Sequence, residues 1–105
     1  MEAVGENVKQ FKPGDDVFGG GAGAFAEYVT VTEDRALARK PDNMSFEQAA
    51  SVPIAAITAL QAVRDKGQLQ PGQKVLINGA SGGVGTFAVQ IARTIGAEVT
   101  GVCSE

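Results

Sequence analysis

The 105-residue sequence contains no histidine and a single cysteine. Without histidine the chain lacks the side chain that most often serves as general base and as metal ligand. A lone thiol, Cys103, cannot close an internal disulfide, which makes a reducing cytoplasm the expected compartment. Basic residues are also scarce. Nine Lys and Arg stand against twelve Asp and Glu, for a net charge of −3. Such a balance offers no basic patch for nucleic acid and no polybasic segment for a membrane surface, so neither is an expected partner. No apolar run approaches the roughly 18 residues of a membrane span. The opening residues, MEAVGENVKQ, lack the apolar core of a signal peptide. What remains is a globular composition, 44% hydrophobic and 20% charged, of a length that suits one small domain.

The chain divides into two halves of different character. In the first, KPGDD (12–16) reads as a Pro-Gly turn and GGGAG (19–23) as a tightly bent loop. AFAEYVTV (24–31) alternates β-branched and aromatic residues and predicts a strand. ALARKP (36–41) predicts a second short strand, ended by proline. These elements suggest part of a barrel or sheet.

From Ser45 the pattern becomes helical. Ser45 and Gln48 fit a capping box. Pro53 predicts an interruption, giving a short helix over 46–51 and a longer one over 54–66, stopped by Gly67. After the QPGQ turn (70–73), KVLIN (74–78) reads as an apolar strand of a buried parallel sheet. Phe87, Ile91 and Ile95 then recur every four residues beside Val84, Ala88 and Ala92, which is one face of a helix. Gly96 ends that helix, and EVTGVCS (98–104) reads as another strand. Strand, glycine turn, helix and strand make a βαβ unit, for which a right-handed crossover is expected.

The glycine turn is the feature with chemistry in it. NGASGGVG (78–85) joins a strand to the first turn of a helix, where free N–H groups and a partial positive charge favour an anion. Gly82 and Gly85 take the second and third glycine positions of G-x-G-x-x-G, and Ala80 takes the first. Gly82 would let a diphosphate approach the backbone, and Gly85 would let the helix lie close to the strand. A dinucleotide site is the reading adopted, against the alternative of a merely tight βα turn. No Lys-Ser/Thr pair follows the glycines, which excludes a Walker A loop. The short-chain dehydrogenase pattern fits less well, because the one tyrosine, Tyr28, is followed four places on by Thr32 rather than lysine.

With these motifs in view, the chain resembles the medium-chain dehydrogenase/reductase superfamily, and most closely its zinc-free quinone oxidoreductase-like branch. The resemblance rests on FKPGDDVFG, GAFAEYVTV, MSFEQAASVPIAAITAL, QPGQKVLINGASGGVGTFAVQIA and GAEVTGVCS, in the family's order. It implies an α/β fold: an incomplete Rossmann βαβ unit over 54–105, preceded over 1–53 by part of a GroES-like β-barrel substrate domain. It implies hydride transfer from NADPH to a small-molecule acceptor, a quinone, enone or related electron-poor alkene. The zinc-dependent relatives carry a cysteine near the VPIAA stretch and a four-cysteine lobe where this chain has only GGAG. With one cysteine and no histidine, neither zinc site can be assembled here.

The resemblance places Thr58 near the nicotinamide and packs Val84 against it. Selectivity for NAD usually comes from an acid about twenty residues past the glycines. Ser104 and Glu105 stand nineteen and twenty residues after Gly85. If the strand ends at Cys103, neutral Ser104 faces the ribose and does not repel a 2′-phosphate. NADPH is therefore the expected cofactor and NADH the less favoured one. The expected cofactor-binding set is Thr58, Ala80, Ser81, Gly82, Gly83, Val84, Gly85 and Ser104; no catalytic residue is assigned. Tyr28 is expected to be a strand tyrosine with one end buried, Cys103 a core residue, and Asp15 and Asp16 solvated surface.

A Rossmann domain needs about six strands, and two are legible. The chain is thus expected to be an internal piece of a longer reductase, inactive by itself and prone to form homo-oligomers through exposed strand edges. The alternative is a non-catalytic fragment ordered by self-association.

Overall fold

The computed structural model describes residues 1–35 and 37–104. Its contacts divide the chain into two compact units, Met1–Pro53 and Ile54–Glu105.

In the first unit, β1 (Val17–Gly19) pairs antiparallel with β2 (Leu37–Arg39), with Phe18 opposite Ala38. β2 is the short strand expected before Pro41, trimmed to three residues; Ala36 lies outside the described residues. β1 occupies VFG, which the sequence pattern did not mark as a strand. Polar contacts hold the hairpin's surroundings. The Asp15 carboxylate accepts the Lys12 N–H at 3.0 Å and pairs with Arg39 at 3.3 Å. Arg39 also donates to the Gln10 carbonyl at 2.8 Å. The Asp15 side chain is only 11% exposed, so the acidic pair expected on the surface is split: Asp16 is exposed and Asp15 is not.

Residues 24–31 form no strand, which corrects the sequence expectation. Aromatic and β-branched residues give a propensity, but a strand exists only where another strand completes its hydrogen bonds. No neighbour does so among the described residues. Phe25 and Val29 are exposed, and Tyr28, expected to be half-buried, is 75% exposed. No closed barrel is present among the described residues.

The helix α1 (Phe46–Leu60) begins with the capping box expected from the sequence. Gln48 donates its backbone N–H to the Ser45 hydroxyl at 3.2 Å, and the Ser45 N–H donates to the Gln48 side-chain oxygen at 2.9 Å. Glu47 sits in this first turn; hydrogen bonding from its own backbone N–H, then from Ser45, lowers its pKa. The ionised form is therefore the one the folded state favours. That contribution is present above the ordinary carboxylate pKa and is lost as pH falls through the lowered one. Replacing Ser45 with alanine removes the hydroxyl that accepts the Gln48 N–H, leaving only the bond from the residue-45 backbone N–H to the Gln48 side chain, and should cost about 1 kcal/mol in urea unfolding. An unchanged midpoint would show that the box contributes nothing.

Pro53 does not break α1, contrary to expectation. A proline inside a helix forfeits one hydrogen bond, here to the carbonyl of Ala49, four residues earlier. Alanine-rich flanks, with Ala49 and Ala50 before it and Ala55 and Ala56 after, favour the helix strongly enough to carry it across. The change of geometry comes later, where Gln61–Lys66 widens to a π-helical segment. Helical backbone then stops at Gly67, as the sequence indicated.

The second unit contains β3 (Lys74–Asn78), α2 (Gly83–Ile95) and β4 (Glu98–Val102). β3 and β4 are parallel, with Lys74 opposite Glu98 and Asn78 opposite Val102. This is the βαβ unit read from the sequence. Gly96, at φ 93°, caps α2 in the left-handed region that glycine adopts without strain. The core is built around Ala59, Val63, Ala88 and Ala92, with Val75, Ile77, Phe87, Ile91, Ile95 and Val99 packed against them. Small residues at its centre let the helical segments approach closely. Only one face of the two-stranded sheet is covered. Val75 and Ile77 point into the core, whereas Leu76 is 67% exposed. The doubly buried strand expected at 74–78 is therefore half-buried, because no element other than α2 packs on this sheet among the described residues.

Candidate functional site

The glycine turn lies between β3 and α2. Gly79, at φ 73°, reverses the chain in a conformation that a side chain would strain. Two hydrogen bonds then set the turn. The Ala80 N–H donates to the Val102 carbonyl at 2.9 Å, which seats the turn on the end of β4. The Gly82 N–H donates to the Gly79 carbonyl at 3.0 Å, which closes the turn on itself. Gly82 is the N-cap, and its carbonyl accepts both the backbone N–H of Thr86 at 2.9 Å and the Thr86 hydroxyl at 2.8 Å. No side chain caps the helix. The N–H groups of Gly83, Val84 and Gly85 thus form the first helical turn, which has no intrahelical acceptors.

The three glycines that follow Gly79 in this turn have different surroundings. A β-carbon on Gly83 would meet no atom within 4 Å, and one on Gly82 would lie 3.2 Å from the Gly79 oxygen. One on Gly85 would overlap the Gly79 carbonyl oxygen and lie 2.9 Å from the Ala80 Cα. Gly85 is therefore needed for the close approach of helix and turn, the role its position suggested. Gly82 and Gly83 are exposed, and together they leave bare backbone in front of the free amides. The sequence pattern assigned the anion contact to the backbone from Gly82 to Gly85, but the Gly82 N–H is already engaged by Gly79.

Of the expected site residues, Ala80, Ser81, Gly82, Gly83, Val84 and Gly85 are contiguous in this turn. Val84 is 41% exposed. Ser104 follows the end of β4, the strand that seats the turn, and is exposed. Glu105 lies outside the described residues. Thr58 stands on α1, exposed, and donates its hydroxyl to the Ile54 carbonyl at 2.7 Å. No hydrogen bond joins it to the turn among the described residues. Beside the turn, an open groove of about 800 Å³ runs along α2 and β4, from Ser81 past Gln90 to Arg93. Cys103 lines it and is exposed, because β4 ends at Val102; the core position expected for this thiol is corrected. Two contributors escaped the sequence reading. Thr86 carries no motif of its own. Gly101 did carry a signal, since a lone glycine inside a strand often marks a close backbone approach. Among the described residues, no three acidic, cysteine or histidine side chains gather as a metal site would require.

Fold and turn define the class: an α/β protein with a parallel βαβ unit whose helix starts on a glycine-rich turn. No family model matches the chain. Individual proteins do. It is 54% identical over 99 residues to Erythronolide synthase EryA2 of Saccharopolyspora erythraea, covering 94% of this chain and 3% of that protein. It is 43% identical over 109 residues to the mitochondrial NAD(P)H oxidoreductase RTN4IP1 of Homo sapiens, covering 96% and 27%. Among solved structures, the Pseudomonas syringae pv. Tomato DC3000 quinone oxidoreductase superposes with a TM-score of 0.82 at 39% identity, covering 99% of this chain and 32% of that one. The CurK enoyl reductase superposes with a TM-score of 0.80 at 37% identity, covering 98% and 31%. The chain belongs to the medium-chain dehydrogenase/reductase superfamily, and the solved structures it is similar to include quinone oxidoreductases and enoyl reductases. It spans about a third or less of the length of the proteins it matches.

Proposed function

We propose that this chain is the part of an NADPH-dependent reductase that holds the diphosphate of the cofactor, and that the reductase delivers hydride to an electron-poor carbon–carbon double bond. Quinones, enones and enoyl groups form the acceptor class. The observation that carries this reading is the bare backbone at Gly82 and Gly83 in front of the first-turn amides of α2. That cradle is one a side chain would fill, and it lies in a chain similar to an NAD(P)H oxidoreductase, a quinone oxidoreductase and an enoyl reductase.

The chain's own residues divide the work. The amides of Gly83, Val84 and Gly85 donate to the diphosphate, and the positive end of the helix adds attraction without any basic side chain. Thr86 holds the Gly82 carbonyl back, so that the donors point outward. Gly79 and Gly85 together keep turn and helix in contact. Bound, the dinucleotide supplies the hydride. Thr58 and Val84 flank its nicotinamide end, and Ser104 tolerates a 2′-phosphate, so the cofactor is NADPH before NADH. In the same reading no metal takes part, the acceptor is a small molecule, and copies associate through exposed apolar surface such as Leu76. The Rossmann domain to which this βαβ unit belongs supplies the rest of the pocket, so the 105-residue chain by itself turns over no acceptor.

Calorimetric titration of NADPH into the chain and its Gly82→Val variant tests the diphosphate assignment. The backbone at Gly82 is extended, φ −73° and ψ 167°, which valine adopts readily, and the turn must yield by only a few tenths of an ångström. The fold should persist while affinity falls by about tenfold or more, because the isopropyl group occupies the approach to the amides. Equal affinity in the two proteins, or no binding by the unaltered chain, would overturn the reading.

A further inference from the structure

We infer that Gly101, the last residue but one of β4, is a positioning residue for the diphosphate turn, matched to the alanine that replaces the first glycine of the motif. This inference rests on the cofactor reading above and extends it to a residue outside the motif. Ala80 occupies the position where dinucleotide-binding turns usually carry glycine for tight turning. Its methyl group must go somewhere, and it lies over β4. A β-carbon on Gly101 would stand 2.9 Å from the Ala80 Cβ, closer than two carbons can approach. One residue further on, the Val102 carbonyl accepts the Ala80 N–H at 2.9 Å. Residues 101 and 102 therefore hold residue 80 together: one leaves room for its methyl group, and the other binds its amide. The parallel register fixes this pairing, since Ile77 and Asn78, at the end of β3, stand opposite Gly101 and Val102.

A methyl group on Gly101 has no way to rotate aside, because the atom it meets is itself a β-carbon. Either Ala80 lifts from β4 and loses its hydrogen bond, or β4 bends away from the turn. Both move the Gly83, Val84 and Gly85 amides relative to the strand end that carries Ser104. The missing side chain at 101 thus compensates for the extra one at 80. If so, exchanging the two residues restores the fit.

The test is a double-mutant cycle on the full chain, Gly101→Ala, Ala80→Gly and the two combined, with two readouts. The first, in cofactor-free protein, is amide hydrogen exchange at residue 80, which reports the bond to the Val102 carbonyl. Gly101→Ala should accelerate it by about tenfold, and adding Ala80→Gly should return it to near the original rate. The second is NADPH affinity, which should fall and recover in parallel. Rescue separates positioning from a loss of general stability, because a merely destabilised strand would not be mended by a second glycine. Unchanged exchange in Gly101→Ala, or a loss that Ala80→Gly fails to restore, would overturn the inference. If the exchange pattern appears but the unaltered chain does not bind NADPH, the turn is seated as inferred and the cofactor reading is what fails.

Discussion

Replacing Gly85 with alanine should destabilise the second unit by about 3 kcal/mol or more, at the upper end of what overpacking costs. The added β-carbon would overlap the Gly79 carbonyl oxygen and stand 2.9 Å from both the Gly79 carbonyl carbon and the Ala80 Cα. All three atoms are backbone, so no rotamer change relieves the clash. The turn must lift from α2, which breaks the Gly82-to-Gly79 hydrogen bond that closes it. The neighbouring Gly83→Ala provides the contrast. Its β-carbon meets nothing within 4 Å. That substitution should be neutral or stabilise by up to about 1 kcal/mol, because alanine restricts the unfolded chain. Urea unfolding of the two variants, two residues apart and chemically identical, separates close packing from any general intolerance of alanine. A Gly85→Ala midpoint equal to that of Gly83→Ala would contradict the described geometry.

The second large effect is expected at Ala92. This residue is fully buried on α2 and belongs to the cluster with Ala59, Val63 and Ala88. Ala92→Leu inserts three more carbons where the neighbours are already in contact, at a cost of about 1–3 kcal/mol. The Ala92 carbonyl also accepts the N–H of Ala97 at 3.1 Å, beside the left-handed Gly96 cap, so a displaced helix end would loosen the entry to β4. Thr94→Ala, two residues on and exposed, should stay within about 0.5 kcal/mol of the parent. Thermal or urea unfolding decides. If the Ala92→Leu variant unfolds with the parent, the centre of the core is looser than described.

Much of the chain from Ser45 onward was legible beforehand, for reasons that are local. The Ser45–Gln48 box, the apolar KVLIN run, the four-residue spacing of Phe87, Ile91 and Ile95, and the Gly96 stop each act through a few adjacent residues. Each appears where its pattern lies. The glycine turn was legible as a type, because a strand-to-helix junction stripped of side chains has few uses. The misreadings have a common cause. Residues 24–31 carry strand propensity but, among the described residues, no strand to pair with. Pro53 signals a break, yet its neighbours' preference for helix outweighs one lost hydrogen bond. Leu76 and Cys103 look like core residues by composition, and they are exposed because burial depends on what lies opposite.

Sequence by itself therefore determined the order of elements from Ser45 onward, the parallel βαβ unit, and the residues available to an anion at the start of α2. These follow from backbone preferences and short-range periodicity. Tertiary structure alone decided which amides remain free, since the Gly82 N–H is taken by Gly79. It alone decided which glycines are indispensable, since the space around Gly83, Gly85 and Gly101 is set by atoms from other elements. It alone brought Gly101 beneath Ala80, twenty-one residues earlier in the chain. Steric fit between distant segments appears only once parallel pairing has fixed their register.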